Sequence, residues 1–248
     1  ESKMTESFVD IVNLGHEYDV PVYPCIGWGF WNYWAFLDLG AKEHRTPGDW
    51  IKQLRDEDTS FAVAINLWER TMEAWRGAAM NLFKAGADGI YTFNAFFANP
   101  DIFQEIGDPG TMANKDKIFG VDQFSNNPSF KSVNELELKR GNIEEMQFQV
   151  GEDLTLGNNP EVKFRLHFWG LTNYDEIDVK LNNQPVDGLK LVEGTGASLD
   201  GRWIGCRLNP LQVKNGENEV ELVVREKDYS LDSPLFLDAV QLSVSYKS

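Results

Sequence analysis

The period of hydrophobicity changes once along this chain, from 3.6 residues to 2, and that change near residue 125 limits the fold more than any other feature. Beyond Phe124, Glu161-Val-Lys-Phe-Arg-Leu-His-Phe-Trp169 alternates strictly, as a strand with one buried face must. Glu176-Ile-Asp-Val-Lys-Leu181 alternates too and runs into Asn182-Asn-Gln-Pro185, a hairpin-type turn. Similar runs occupy 144–150, 203–208, 218–224 and 236–246, separated by turn clusters at 157–160, 194–196, 199–201 and 214–216. Short strands punctuated in this way predict an antiparallel, jelly-roll-like β-sandwich over residues 125–248.

Residues 1–124 follow a different grammar. Phe8, Ile11, Val12 and Leu14 lie at helical spacings, and Val20-Pro-Val-Tyr-Pro-Cys-Ile-Gly27 then reads as a strand buried on both faces. Thr71 to Ala85 reads as a second helix with Ala78, Ala79, Leu82 and Phe83 as its buried stripe; Gly86 falls where a left-handed cap belongs, and Ile90 to Phe93 is the strand that follows. Upstream, Phe61, Ile65, Trp68, Met72 and Trp75 recur at gaps of four and three, which extends the helix back to Ser60. Equally, Phe61 to Trp68 can be a short buried strand with Thr71 capping a separate helix, which would put Glu69 at a strand's C-terminal end. Gapped periodicity of that length favours the helix. A helix delivering into a buried strand is half of a βαβ unit, and a closed barrel of such units needs eight strands over about 250 residues. Residues 1–124 supply too few strands for that, so they read either as a small open α/β layer or as the last part of a larger barrel, and an opening helix with no strand before it favours the second. The expected class is α/β plus all-β, a partial (β/α)8-barrel segment over 1–124 followed by the sandwich over 125–248.

Composition narrows the range of partners. Lys and Arg total 23 against 39 Asp and Glu, a net charge of -16, and both halves are acidic. A field of that sign repels phosphate backbones and anionic headgroups, so the expectation is no nucleic-acid and no membrane partner. No apolar run reaches the roughly 18 residues of a membrane span. Glu1 opens neither a signal peptide nor a chain with an initiator Met, so the sequence reads as a soluble processed or excised piece. Cys25 and Cys206 fall in different segments, and a bridge between them is not expected.

One stretch carries a resemblance. The run from Glu73 to Asn94, and most specifically Ala85-Gly-Ala-Asp-Gly-Ile-Tyr-Thr-Phe-Asn94, resembles the final helix and strand of bacterial glycosyl-hydrolase-like TIM-barrel proteins. Phe103-Gln-Glu-Ile-Gly-Asp-Pro109 and Lys115-Asp-Lys-Ile-Phe119 resemble the exit from such a barrel towards a C-terminal β-domain. The resemblance implies the C-terminal portion of a glycoside hydrolase acting on a polysaccharide or glycoside, inactive as an isolated chain and secreted or periplasmic. It also implies that a partner segment or a second copy completes the barrel. The alternative is a non-catalytic carbohydrate-binding or adhesion module.

The candidate site residues follow from where barrel strands end. After the first strand comes Trp28-Gly-Phe-Trp31-Asn-Tyr33-Trp34-Ala-Phe36, six aromatic rings in nine residues. Indole and phenol rings stack on the apolar faces of sugars, so Trp28, Trp31, Tyr33 and Trp34 are candidate substrate contacts; packing over a barrel mouth is the competing role. After the second strand, Asn94 can hydrogen-bond a hydroxyl or cap a turn, and Phe96 shares its place. Tyr91 and Phe93 are expected in the core. Glycoside hydrolysis uses two carboxylates, and neither secure strand ends in one. Glu69 is the single catalytic candidate, conditional on the strand reading of 61–68; otherwise Glu69 and Glu73 form a solvated helix face. Asp38, Glu43 and His44 are loop charges within reach of such a site, and Asp88 reads as structural. In the sandwich, Trp169, Tyr174 and Trp203 either form a carbohydrate-binding face or are buried. His16, His44 and His167 are too scattered for metal binding, no phosphate loop is present, and no cofactor is expected.

Overall fold

The computed structural model describes residues 8–27, 61–93, 101–122, 136–156, 159–192, 202–229 and 234–246. Its helices are α1 (Phe8–Glu17), α2 (Phe61–Lys84), α3 (Asp101–Glu105) and α4 (Pro109–Met112). A short parallel pair joins β1 (Cys25–Gly27) to β2 (Tyr91–Phe93), with Cys25 opposite Tyr91. The remaining strands are β3 (Lys117–Asp122), β4 (Leu136–Leu138), β5 (Ile143–Val150), β6 (Glu161–Trp169), β7 (Glu176–Leu181), β8 (Gln184–Pro185), β9 (Lys190–Leu191), β10 (Arg202–Leu208), β11 (Gly216–Glu226) and β12 (Leu235–Ser245).

These ten strands form two antiparallel sheets packed face to face. One runs β3-β12-β6-β10-β9, with β4 also paired to β12; the other runs β5-β11-β7-β8. The core between them is built by alternation: Val162, Phe164, Leu166 and Phe168 of β6 point in, and Val220, Leu222 and Val224 of β11 meet them. In β12 the inward set is Leu235 and Leu237, then Val240, Leu242 and Val244. The change of parity occurs at a register shift between Leu237 and Ala239, where one extra residue restores the apolar face to the core.

The partial (β/α)8-barrel expected for 1–124 is not built. Among the described residues parallel pairing stops at β1 and β2, three residues each, and the fold is mostly antiparallel sheet. The next strand in sequence, β3, leaves that pair and runs antiparallel to β12, with Phe119 inside the sandwich core opposite Leu242. A helix-to-strand pattern specifies one βα step but not a third parallel neighbour, and without further parallel strands no barrel can close. The core expectation for the first strands fails with it. Tyr91 and Phe93 are 55% and 54% exposed, and Val20 and Tyr23 are exposed as well, leaving Ile26 as the buried residue of β1.

Where α2 and its cap are concerned, the sequence reading holds. A single helix spans 61–84, and Ala78, Ala79 and Leu82 are buried. Gly86 has φ +99, Ala87 N–H donates to Leu82 O at 3.1 Å and Gly86 N–H to Phe83 O at 2.9 Å, a Schellman ending. Asp88 then ties this turn to α1 and to the approach to β1, accepting from Val22 N–H (2.7 Å) and contacting His16 Nε2 (2.8 Å). Those two contacts, His16 first, hold its carboxyl below the ordinary carboxylate range.

The helical part is fastened to the sandwich by α2. Its Asn81 Nδ2 donates to Gln149 O of β5 at 3.1 Å. Arg76 Nε donates to Glu105 at 2.6 Å and Nη1 to Asp116 O at 3.1 Å, while Lys115 Nζ reaches the other Glu105 oxygen at 2.7 Å. Burial pushes the Glu105 carboxyl up, but the bonds from Arg76 and Lys115 outweigh it and its pKa lies below the usual value. A depressed carboxylate stabilises the fold above its unfolded pKa and loses that contribution as pH falls through its folded value. Glu105→Gln should therefore lower the urea midpoint at pH 7, with the gap to the parent chain narrowing as pH falls below about 4.

On the four-stranded sheet, Asn182 and Asn183 both take positive φ, 53° and 64°, in the two-residue turn joining β7 to β8. Buried Asn218 completes the corner. Its Oδ1 accepts from Lys214 N–H (2.8 Å) and Asn182 Nδ2 (2.9 Å), and its Nδ2 donates to the carbonyls of Lys214 and Gly216, both at 2.9 Å. Asn218→Ala removes all four bonds, leaving Asn182 Nδ2 only its bond to Gln212 O, and should cost about 2–3 kcal/mol by chemical denaturation.

Candidate binding face on the six-stranded sheet

With the even positions of β6 in the core, its odd positions Glu161, Lys163, Arg165, His167 and Trp169 stand on the outer face of the six-stranded sheet. Register decides their neighbours, because residues directly opposite share a face. His167 lies between Trp203 of β10 and Ala239 of β12, Arg165 between Gly205 and Gln241, and Lys163 between Arg207 and Ser243. Beyond Gly205 the row continues to Lys190 of β9.

The rings form one cluster. The centroids of His167 and Trp203 are 4.9 Å apart with the planes tilted by 49°, and Trp169 meets His167 edge-on at 5.8 Å. Arg165 places its guanidinium 5.4 Å from the Trp203 ring centre, within cation–π range. Gly205 makes that path available: a Cβ there would come within 2.8 Å of both Arg165 Cγ and the Phe164 carbonyl oxygen. The arginine stem therefore lies across the bare backbone of β10.

Burial grades across the face. Trp203 and His167 are buried, 2% and 4% exposed, and so are Ala239 and Gln241 on the β12 side, where Gln241 Oε1 has no hydrogen-bond partner. Towards β9 the face opens. Arg165 and Trp169 are half-buried, and Lys163, Lys190 and Arg207 are exposed. Glu161 is the carboxylate on this face among the described residues of β6, β9 and β10, with Lys163 at 3.4 Å and Arg207 at 3.1 Å. The result is an immobilised aromatic platform with a cation beside it, an arrangement that can stack an apolar ring face while hydrogen-bonding what projects from its edge.

Set against the sequence expectations, Trp169 and Trp203 come together here, one half-exposed and one buried. Tyr174 is exposed in the turn after β6, and no ring contact joins it to the pair. Trp28, Trp31, Tyr33, Trp34, Asn94 and Phe96, and with them Asp38, Glu43 and His44, lie outside the described residues. Glu69 is carried inside α2 rather than at a strand's end, and its side chain also lies outside them. Arg165, Gly205 and Lys190 were absent from the sequence candidates; only register brings residues so far apart in sequence onto one row. Cys25 and Cys206 are free thiols, and among the described residues no group of three or more His, Cys, Asp or Glu side chains could hold a metal ion. Among those residues, too, no helix is long and apolar enough to cross a membrane.

No family model matches this chain, and no curated protein matches it. Some solved structures are weakly similar. A beta-porphyranase of glycoside hydrolase family 86 from the human gut bacterium Bacteroides plebeius is 12% identical with a TM-score of 0.35, over 54% of this chain and 21% of that one. SGBP-B from a complex xyloglucan utilization locus in Bacteroides uniformis is 11% identical with a TM-score of 0.29, over 54% of this chain and 46% of that one. Dimeric latent PorU from Porphyromonas gingivalis is 13% identical with a TM-score of 0.28, over 54% and 13%. This chain spans about a fifth of the porphyranase's length. Likenesses this weak carry no argument about function, which rests on the residues themselves.

Proposed function

We propose that this chain binds carbohydrate, and that the outer face of the six-stranded sheet holds the sugar. The observation that carries the reading is the half-buried Trp169, held edge-on against His167, whose ring in turn packs on Trp203 with the Arg165 guanidinium over that indole. A saccharide ring offers an apolar face to an indole and hydroxyl groups to a cation, and a platform already held by its neighbours loses little freedom on binding. Binding fits this face better than cleavage, because glycoside hydrolysis takes two carboxylates about 5–10 Å apart, whereas Glu137 of β4 stands level with Trp169 through Phe236 and Glu161 lies eight residues from Trp169 along β6, about 26 Å away. The loop carrying Trp28, Trp31, Tyr33 and Trp34, with Asn94 and Phe96, enters the proposal from the sequence as a second saccharide contact. A hydrolytic role is proposed only for a longer polypeptide of which this chain would be the binding part.

The test is a panel of immobilised polysaccharides. The chain should retain at least one of them, and Trp169→Ala should weaken that retention by about tenfold, the equivalent of about 1.4 kcal/mol, with its circular dichroism unchanged. Absence of retention across the panel, or full retention by Trp169→Ala, contradicts the reading.

A further inference from the structure

The two outer faces of the sandwich carry opposite charge. On the four-stranded sheet β11 presents Glu217, Glu219 and Glu221, with Glu145 opposite Glu221 on β5 and Lys180 opposite it on β7. That face has the sign expected of a chain with a net charge of -16. The six-stranded sheet reverses it. Lys163, Arg165, Lys190 and Arg207 gather on β6, β9 and β10 around Glu161, while Glu137 of β4 adds one exposed carboxylate on the β12 side of the same face.

Such a reversal is not expected of a solvated surface. In an acidic chain, scattered lysines and arginines tend to sit beside the more numerous carboxylates, as Lys180 does with Glu221 at 2.6 Å. On the outer face Lys190 has no ion-pair partner among the described residues, and Glu161 is shared between two cations. Arg165 is committed to the Trp203 ring by its packing over Gly205, so one cation of the group is held in position rather than free in water. The spacing has a use as well. Lys163 and Arg165 are about 7 Å apart along the strand, and Arg165 and Lys190 about 10 Å apart across two strand intervals. Cations at such intervals can meet acidic groups on successive residues of a polymer, each contact adding to the last.

We propose that the saccharide held by this face is anionic: an acidic polysaccharide whose sulfate or carboxylate groups meet the Arg165, Lys190, Lys163 and Arg207 row while a sugar ring lies on Trp169. This deepens the carbohydrate reading above and rests on it. It also accounts for the clustering of these four cations on the face that carries the aromatic rings. The remaining acidic surface repels polyanions generally and so restricts their approach to this side.

The experiment compares dextran with dextran sulfate, which share a backbone, and adds alginate as a carboxylated chain and polyglutamate as a polyanion without sugar rings. Binding of the whole chain is read by gel retardation and by calorimetry at low and high salt. The expected result is tenfold or more tighter binding of dextran sulfate or alginate than of dextran, weakening as salt rises. Polyglutamate should bind at least tenfold more weakly than the better acidic polysaccharide. Lys190→Gln with Arg207→Gln, both at exposed positions, should lower that binding about tenfold, and Arg165→Gln should do so alone. Dextran bound as tightly as dextran sulfate, without salt dependence, overturns the anionic assignment and leaves the carbohydrate reading standing. No binding to any saccharide overturns both. Polyglutamate bound as tightly as the acidic polysaccharides, or exposed-site variants that bind like the parent chain, reduces the row to nonspecific ion exchange and overturns the inference.

Discussion

Lys117→Ala is expected to cost about 3–5 kcal/mol of folding free energy, enough to remove much of the stability of an ordinary domain. The Lys117 side chain is completely buried where β3 passes between the sandwich and the helical part. Its ammonium donates to Lys115 O at 2.8 Å, lies 3.1 Å from Glu152 and sits 5.1 Å from the centre of the Tyr246 ring. Burial pushes the Lys117 pKa down, and the Glu152 carboxylate opposes that. Burial also raises the Tyr246 phenol well above its ordinary range, with Glu152 adding to the effect. Removing the lysine leaves a mostly buried carboxylate without its counter-charge. The double replacement Lys117→Met with Glu152→Leu removes both charges together and should recover most of the loss. Urea denaturation of the three chains measures this directly, and a single-variant cost below about 1 kcal/mol would place the pair in solvent.

Gly77→Ala should destabilise the chain by about 2–3 kcal/mol, against the sign of helix propensity. In the interior of an exposed helix the same change stabilises by about 0.5–1 kcal/mol. Here α2 packs backbone to backbone on β3. A methyl group at Gly77 would overlap the Ile118 carbonyl oxygen and lie 2.7 Å from its carbon, so helix and strand would have to separate. Gly151 makes the matching approach from the sandwich side, where an added Cβ would lie 2.6 Å from Asn81 N. A higher melting temperature for Gly77→Ala would show that the two do not meet as closely as this.

The sandwich was legible in the sequence because alternation is a local signal with a physical cause. Glu161 to Trp169 and Glu176 to Leu181 are strands with those very bounds, and Gly86 caps α2 as its position implied. The β12 bulge was not legible, since Asp238-Ala239 looks like a lapse in alternation until β6 supplies the register. Nor was β3: Lys117-Ile-Phe-Gly-Val-Asp122 is short, and its first residue is a lysine that is buried only because Glu152, Lys115 and Tyr246 surround it. The barrel expectation failed for a related reason. Pairing of β1 with β2 follows from local pattern, but the number of further parallel strands is a property of the whole sheet. The binding face was half legible. Trp169 and Trp203 stand out in the sequence as large rings, whereas the parts played by Arg165, Gly205 and Lys190 depend on pairing between strands far apart in the chain.

The carbohydrate reading is tested most directly by following the indole N–H resonances of the tryptophans during a titration with a bound polysaccharide fragment. Trp169 and Trp203 should shift with saturating concentration dependence, while Trp75, fully buried in the core of the helical part, stays still. Saturating shifts that leave Trp169 and Trp203 unmoved would place the ligand elsewhere and contradict the account.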